Sequence, residues 1–220
     1  MKKILILIAV LVILIAGYIM VEFMRLAQVS QGIPIEKSGA EKSAMLVIDI
    51  QKDLTQADGK APLNIAMTDN MIENVNILVD TCRNKGILVV YVRHEYDKLV
   101  FNLLLNDTVK KGSPGSEIDE RVAIINDNIF TKHFMDAFSN PAMEKLLRDN
   151  NISHLYITGL DAQYCVDKTV QSALNRKYAV TVVSDAIAGK TDAVVAKKLA
   201  EFKTLGATIE STEQVFVSTK

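Results

Sequence analysis

The stretch "SHLYITGLDAQYCVDKTVQSALNRK", Ser153 to Lys177, decides the fold. Its first part is a short apolar run that ends on Gly159, and its second part places Val166, Val170, Ala173 and Leu174 on one helical stripe. A buried strand, a turn and a helix in that order form half of a parallel β-α unit. The strand form recurs at "AMLVID" (Ala44 to Asp49), "GILVVYV" (Gly86 to Val92), "NIFTK" (Asn128 to Lys132) and "YAVTVVSDA" (Tyr178 to Ala186), with a last short strand near "ATIES". Between the strands, "MIENVNILVDTCRNKG" sets Ile72, Val75, Val79 and Cys82 on one face with Gly86 past its end. "PAMEKLLRDNN" and "DAVVAKKLAEFKTLG" have the same spacing. The alternation predicts a doubly wound α/β domain: a mainly parallel six-stranded sheet with helices on both faces.

Outside this domain the chain changes character. Residues Ile4 to Val21, "ILILIAVLVILIAGYIMV", carry no charge and follow Lys2 and Lys3, which predicts an N-terminal transmembrane helix. A cleaved signal peptide is the alternative, but its apolar region usually runs about 7–15 residues and ends at an A-x-A-like site. Lys2 and Lys3 against Arg25 favour a cytoplasmic N-terminus and an extracytoplasmic domain. "MRLAQVSQGIPIEKSGAEKS", from Met24, has no apolar period and reads as a tether. The expected organisation is an anchor over 1–24, a linker over 25–43 and a domain over 44–220. With 25 basic and 26 acidic residues, net charge −1 and no basic block, the chain lacks the electrostatic footprint of a nucleic-acid binder. Its two cysteines, far apart in sequence, make neither a disulfide framework nor a metal-binding pair.

A doubly wound sheet binds its ligand beyond the carboxyl ends of its strands, where the strand order reverses. With the common order 3-2-1-4-5-6, Asp49 and the loop holding Cys165 converge there, and Lys132 ends the third strand on the same rim. Cys165 starts a helix, where the dipole favours a thiolate, and lies close to Lys132, which must offset the repulsion from Asp49, so ionisation near or below neutral pH is expected. Asp49 is placed to take the thiol proton and Lys132 to hold the carboxylate charge, an arrangement for nucleophilic catalysis. Backbone N–H groups of the "GLDAQYC" turn offer an oxyanion site. Singly, each residue has an ordinary reading: a buried free cysteine, a helix-capping aspartate, a solvated lysine. The three on one rim carry the weight. Gln51, Leu54 and Tyr164 are candidate substrate-lining residues, while His133 and His154 read as structural or exposed. Cys82, on an apolar helix face, is expected to be inert.

Four motifs occur in sequence: "LVIDIQKDL", "VVYVRHE" with "KGSPGSEI", "IFTKHFMDAF", and "ITGLDAQYCVDKTVQSAL". On these the chain from Ala44 to about Val217 resembles the isochorismatase-like cysteine hydrolases, which include nicotinamidases, N-carbamoylsarcosine amidases and ureidoacrylate hydrolases. The resemblance implies that Asp49, Lys132 and Cys165 form the catalytic triad. It also implies a non-proline cis peptide at Leu160–Asp161, with the backbone N–H groups of Asp161 and Cys165 as oxyanion hole. Nicotinamidases of the family carry an Asp-x-His and a further histidine as a metal site, whereas "RHEYDKLVFN" offers only His94, so no metal and no other cofactor is expected. An acidic Asp161 near the pocket hints at a polar or cationic substrate. Isochorismatase itself acts on a vinyl ether without a nucleophilic cysteine, so Cys165 speaks against that reaction. The expectation is a membrane-tethered amidase that cleaves a small-molecule C–N amide or carbamoyl bond through a Cys thioester. The alternative is a non-catalytic tethered scaffold on the same fold. A homo-oligomer is left open.

Overall fold

A computed structural model describes residues 1–36 and 42–215. Part of the expected linker, 37–41, and the last five residues of the expected domain lie outside the described residues. In chain order the elements are α1 (Lys2–Leu26), β1 (Ser43–Ile48), the single turn α2 (Lys52–Thr55), α3 (Ile65–Lys85), β2 (Leu88–His94), α4 (Leu99–Leu104), β3 (Ile129–Lys132), α5 (Pro141–Asp149), β4 (His154–Gly159), α6 (Cys165–Asn175), β5 (Ala179–Ile187), α7 (Asp192–Leu205) and β6 (Thr208–Glu210). The strands form one sheet in the order β3-β2-β1-β4-β5-β6, every pair parallel, as the alternation predicted.

Both faces of the sheet are covered, and the strands show why. Successive side chains of a strand point to opposite faces. In β1, Leu46 and Ile48 pack with Val166 and Val170 of α6 and Phe202 of α7. Met45 and Val47 pack on the other face with Val75, Val79 and Cys82 of α3. The predicted stripe of α6 is therefore a core stripe, and Cys82 is a core residue. α3 begins at Ile65, earlier than its apolar period suggested, because Asn64 caps it by accepting from the Met67 N–H at 3.2 Å. Gly86 ends it in the left-handed conformation, φ 67°.

Two backbone positions aim the rim. Gly159 ends β4 at φ 103°, and a Cβ there would stand 2.0 Å from the Ile48 carbonyl oxygen, so only glycine lets β4 close on β1 at this level. Asp49, just past β1, turns out of the strand at φ 53° while its N–H still donates to the Val92 carbonyl at 2.8 Å.

The segment read as a free tether is instead docked. Leu26 is buried with Phe101 and Met135. Ser30 Oγ donates to Asp136 Oδ2 at 2.5 Å and accepts from Arg176 Nη1 at 2.8 Å, and the Ile35 N–H donates to the Arg176 carbonyl at 2.8 Å. Asp136 and Arg176 are themselves buried, so Ser30 satisfies charged groups that lack access to water. Upstream of Glu22, α1 stands clear of the domain with its apolar side chains exposed, and among the described residues it is the one helix long and apolar enough to cross a membrane. A chain starting at Ser43 should therefore be less stable than one starting at Ala27 by about 1–3 kcal/mol, the penalty for buried groups that lose a partner. Urea unfolding of the two forms checks this, and equal midpoints would mean that the docked segment contributes nothing.

Candidate active site

At the carboxyl rim of the sheet the ends of β1, β2 and β3 and the start of α6 meet around one ammonium. Lys132 Nζ donates to Asp49 Oδ2 at 2.7 Å and to Cys165 Sγ at 3.2 Å, and lies 3.2 Å from His94 Nδ1. An ammonium has three protons and no lone pair, so Nδ1 of His94 must be an acceptor and its ring proton resides on Nε2. All three donors are thus engaged, as a lysine this deeply buried requires. His94 reaches this position by register, since it pairs directly with Lys132 across β2 and β3.

Gln51 holds His94 in place. Its Nε2 donates to the carbonyls of His94 at 2.8 Å and Ser116 at 2.7 Å, and its Oε1 accepts the His94 N–H at 2.8 Å. The side chain is fully buried in these bonds, so Gln51 is a backbone clamp and does not face substrate as expected. The other two candidates, Leu54 and Tyr164, do line a cavity of about 440 Å³ with Asp49, His94 and Cys165 at its floor. Phe23 of α1, Tyr96 and Met135 line it too, and none of these was singled out from sequence. His94, which the sequence marked as the one histidine its segment offers a metal site, reaches the floor instead as the last residue of the strand beside the lysine strand. Phe23 had no signal, because its neighbours are distant in sequence. A shallower groove of about 570 Å³ between α6 and α7 holds Asp167, Lys198 and Glu201, whose charges pair with one another.

The turn between β4 and α6 frames the sulfur. The Leu160–Asp161 peptide is cis, as the family resemblance implied. The backbone N–H groups of Asp161 and Cys165 donate to nothing among the described residues, while the Tyr164 and Val166 N–H groups both donate to the Asp161 carbonyl. His133, just past β3 on the same rim, contacts the Glu95 carbonyl through Nδ1 and does not line the cavity, and His154 Nε2 contacts the Thr181 hydroxyl at the opposite end of the sheet.

Electrostatics correct one expectation. Burial pushes the Cys165 thiol well above its ordinary value, the neighbouring Asp49 charge adds to this, and the Lys132 ammonium offsets only part. Cys165 is therefore a thiol at neutral pH and not the thiolate expected from its helix start and the nearby ammonium, because burial and the Asp49 charge outweigh Lys132. Burial likewise raises the Asp49 carboxyl against the lowering by Lys132. Burial alone would lower Lys132, yet Asp49 and Cys165 together hold it above its ordinary value. Burial and the nearby ammonium keep His94 well below the usual imidazole range, hence neutral. Cys82, buried against Met45, is pushed up to about 12.

Asp49, His94 and Cys165 are the one group among the described residues close enough to share a metal ion, their ligand atoms lying within 4.8 Å of one another. The Lys132 ammonium already contacts all three, so a cation would have to displace it. These residues do not fit a resident metal.

With this geometry in hand, comparison with known proteins is informative. The family model described as the isochorismatase domain matches residues 43–214. A protein named N-carbamoylsarcosine amidase from an Arthrobacter species is 25% identical over 186 residues, covering 79% of this chain and 70% of the relative. One named a probable inactive nicotinamidase, from Arabidopsis thaliana, is 27% identical over 177 residues, covering 74% and 89%. The crystal structure of an isochorismatase-like hydrolase from Alkaliphilus metalliredigens superposes with a TM-score of 0.72 at 20% identity, over 78% of this chain and 96% of that one, and shares the fold.

The thiol electrostatics make opposite forecasts for two substitutions. Iodoacetamide should modify wild-type Cys165 slowly at pH 7 and increasingly fast through alkaline pH, with Cys82 untouched. Asp49→Asn removes the repelling charge and should speed labelling at pH 8 by about tenfold or more, whereas Lys132→Met should slow it. Peptide mass spectrometry reads both rates, and labelling that is slower in Asp49→Asn than in wild type would contradict the assignment of charges.

Proposed function

We propose a reaction for this chain from the premise that it belongs to the isochorismatase family, whose domain spans residues 43–214. The protein is a cysteine hydrolase that cleaves the C–N bond of a small amide or carbamoyl compound, held at a membrane by α1. The observation that carries this reading is the Lys132 ammonium bonded at once to Asp49 and Cys165 on the floor of a cavity. The relative named as an amidase supports the bond type.

In the first half-reaction Asp49 takes the Cys165 proton while the sulfur attacks the amide carbonyl, forming a C–S bond. A thiol that holds its proton until attack needs a base of this kind, and the raised Asp49 carboxyl is matched to taking a proton and giving it back. The oxyanion falls to the free N–H groups of Asp161 and Cys165. Protonated Asp49 then delivers its proton to the leaving nitrogen as the C–N bond breaks, which leaves an acyl thioester on Cys165. In the second half Asp49 removes a proton from water, the hydroxide attacks the thioester, and the thiolate leaves and regains that proton. Lys132 stays charged throughout and offsets the charge on Asp49 or on sulfur as it moves between them.

Anchoring rests on α1, a 25-residue helix with mean hydropathy 3.3 over its most apolar window and none of that window buried. Lys2 and Lys3 precede it, which favours an extracytoplasmic domain. The chain then divides into an anchor that ends where α1 meets the domain, a docked connector, and the hydrolase domain.

Acid quenching during turnover of an amide panel should trap an acyl group on Cys165, visible as added mass on its peptide. Cys165→Ala should lower kcat by roughly 10³–10⁶-fold, as loss of a triad nucleophile does. Asp49→Asn should abolish turnover even though it speeds labelling of the thiol. Turnover that survives Cys165→Ala would rule out the covalent route, and a panel-wide lack of turnover would favour a non-catalytic role, as the name of the inactive relative suggests for that protein.

A further inference from the structure

We propose that the cavity opens at the membrane interface and takes an amide bearing an aliphatic chain, with the outward leucines of α4 seated at the boundary of headgroups and acyl chains. This rests on the anchoring and the amidase reading above, and it adds a substrate class and a route of entry.

The first observation is where the domain attaches to α1. The uncharged run ends at Val21, and the next turn grips the domain. Glu22, only 5% exposed, pairs with Lys98 at the start of α4 and with Arg25 at 3.3 Å. Leu26 packs on Phe101 of α4 and on Met135, and its carbonyl accepts the Met135 N–H at 2.9 Å. A helix rises about 1.5 Å per residue, so these contacts lie within about 8 Å of the end of the apolar run. α4 is therefore fixed beside the edge of the hydrocarbon layer.

The second observation is what α4 leaves outside. Phe101 points inward, while Leu99, Leu103 and Leu104 are 72%, 74% and 57% exposed. Phe23 and Met24, in the turn of α1 that is held beside α4 through Glu22–Lys98 and Leu26–Phe101, are also exposed, 50% and 67%. Exposed apolar side chains next to a helix that enters a membrane are matched by lipid.

The third observation ties that surface to the site. Phe23 lines the catalytic cavity from α1, and Leu105, directly after α4, lines it as well. Above the polar floor the walls are side chains such as Leu54, Leu63, Val109 and Leu160. The two charged groups in the wall are engaged: Lys60 Nζ donates to the Asp107 carbonyl at 3.0 Å, and Asp161 Oδ1 accepts the Gln163 N–H at 2.7 Å. One oxygen of Asp161 thus serves its own turn, and the mostly apolar walls favour an apolar substituent over the polar or cationic one that its charge suggested from sequence.

The test uses the full chain in phosphatidylcholine nanodiscs and reads protection of Cys165 from N-ethylmaleimide by acetamide, butanamide and hexanamide. The half-protecting concentration should fall about fourfold per methylene, roughly 200-fold from acetamide to hexanamide, the increment expected for burying each CH₂. Equal protection by all three would overturn the substrate class. The chain has no tryptophan, so Leu103→Trp is a unique reporter of the patch. Its emission should be quenched by phosphatidylcholine brominated on the upper acyl chain, and emission insensitive to bromination would overturn the seating of α4. Neither readout needs turnover, so an absent amidase activity would appear separately, as protection without hydrolysis of hexanamide.

Discussion

Everything at this rim depends on the burial of one positive charge. An ammonium withdrawn from water is tolerated only where a negative partner and acceptors for its remaining protons are fixed in advance. Lys132 finds the carboxylate at the end of β1, the imidazole at the end of β2 and the sulfur at the start of α6. Four elements are held in register by that requirement, because removing one partner of a buried pair typically costs about 3–5 kcal/mol. The backbone serves it as well, through Gly159, which lets β4 approach β1, and through the main chain of His94, which Gln51 fixes by two bonds while a third ties it to Ser116.

The same interaction sets the chemistry of the proposed reaction. A buried thiol whose lysine is shared with a carboxylate keeps its proton at neutral pH, so in the proposed reaction Asp49 has to take that proton for the sulfur to attack. That differs from cysteines activated by a helix start and an undivided positive charge. His94 contributes as a neutral acceptor that completes the ammonium's shell, a role closed to it if it were protonated.

Much of this was legible in the sequence, and the remainder fails for identifiable reasons. The strands follow from short apolar runs alternating with helical stripes, and the convergence of Asp49, Lys132 and Cys165 on one rim follows once the strand order is taken as the common one, which the sheet has. Gln51 was misplaced because its partners, Ser116 and His94, are set by pairing across loops and not by local pattern. The docking of residues 26–35 depends on Asp136 and Arg176, more than a hundred positions away, so a stretch without periodicity reads as a tether. α4, a six-residue helix with leucines facing outward, lacks the amphipathic stripe that marks a helix packed on a core. Its apolar exposure acquires meaning only beside α1. The expected thiolate differs from the structure because the helix start, Lys132 and Asp49 can be read from sequence, whereas the burial that outweighs the ammonium cannot.

The buried ammonium is the central claim, and it is directly observable. In the full chain carrying ¹⁵N-labelled lysine, NMR titration of side-chain nitrogens can follow Lys132, assigned by its absence in Lys132→Met. The account predicts a protected, slowly exchanging NH₃⁺ signal whose pKa lies above the ordinary lysine value of about 10.4, lowered when Asp49→Asn removes the carboxylate. A Lys132 that is neutral near pH 8, or whose titration ignores Asp49→Asn, would contradict it.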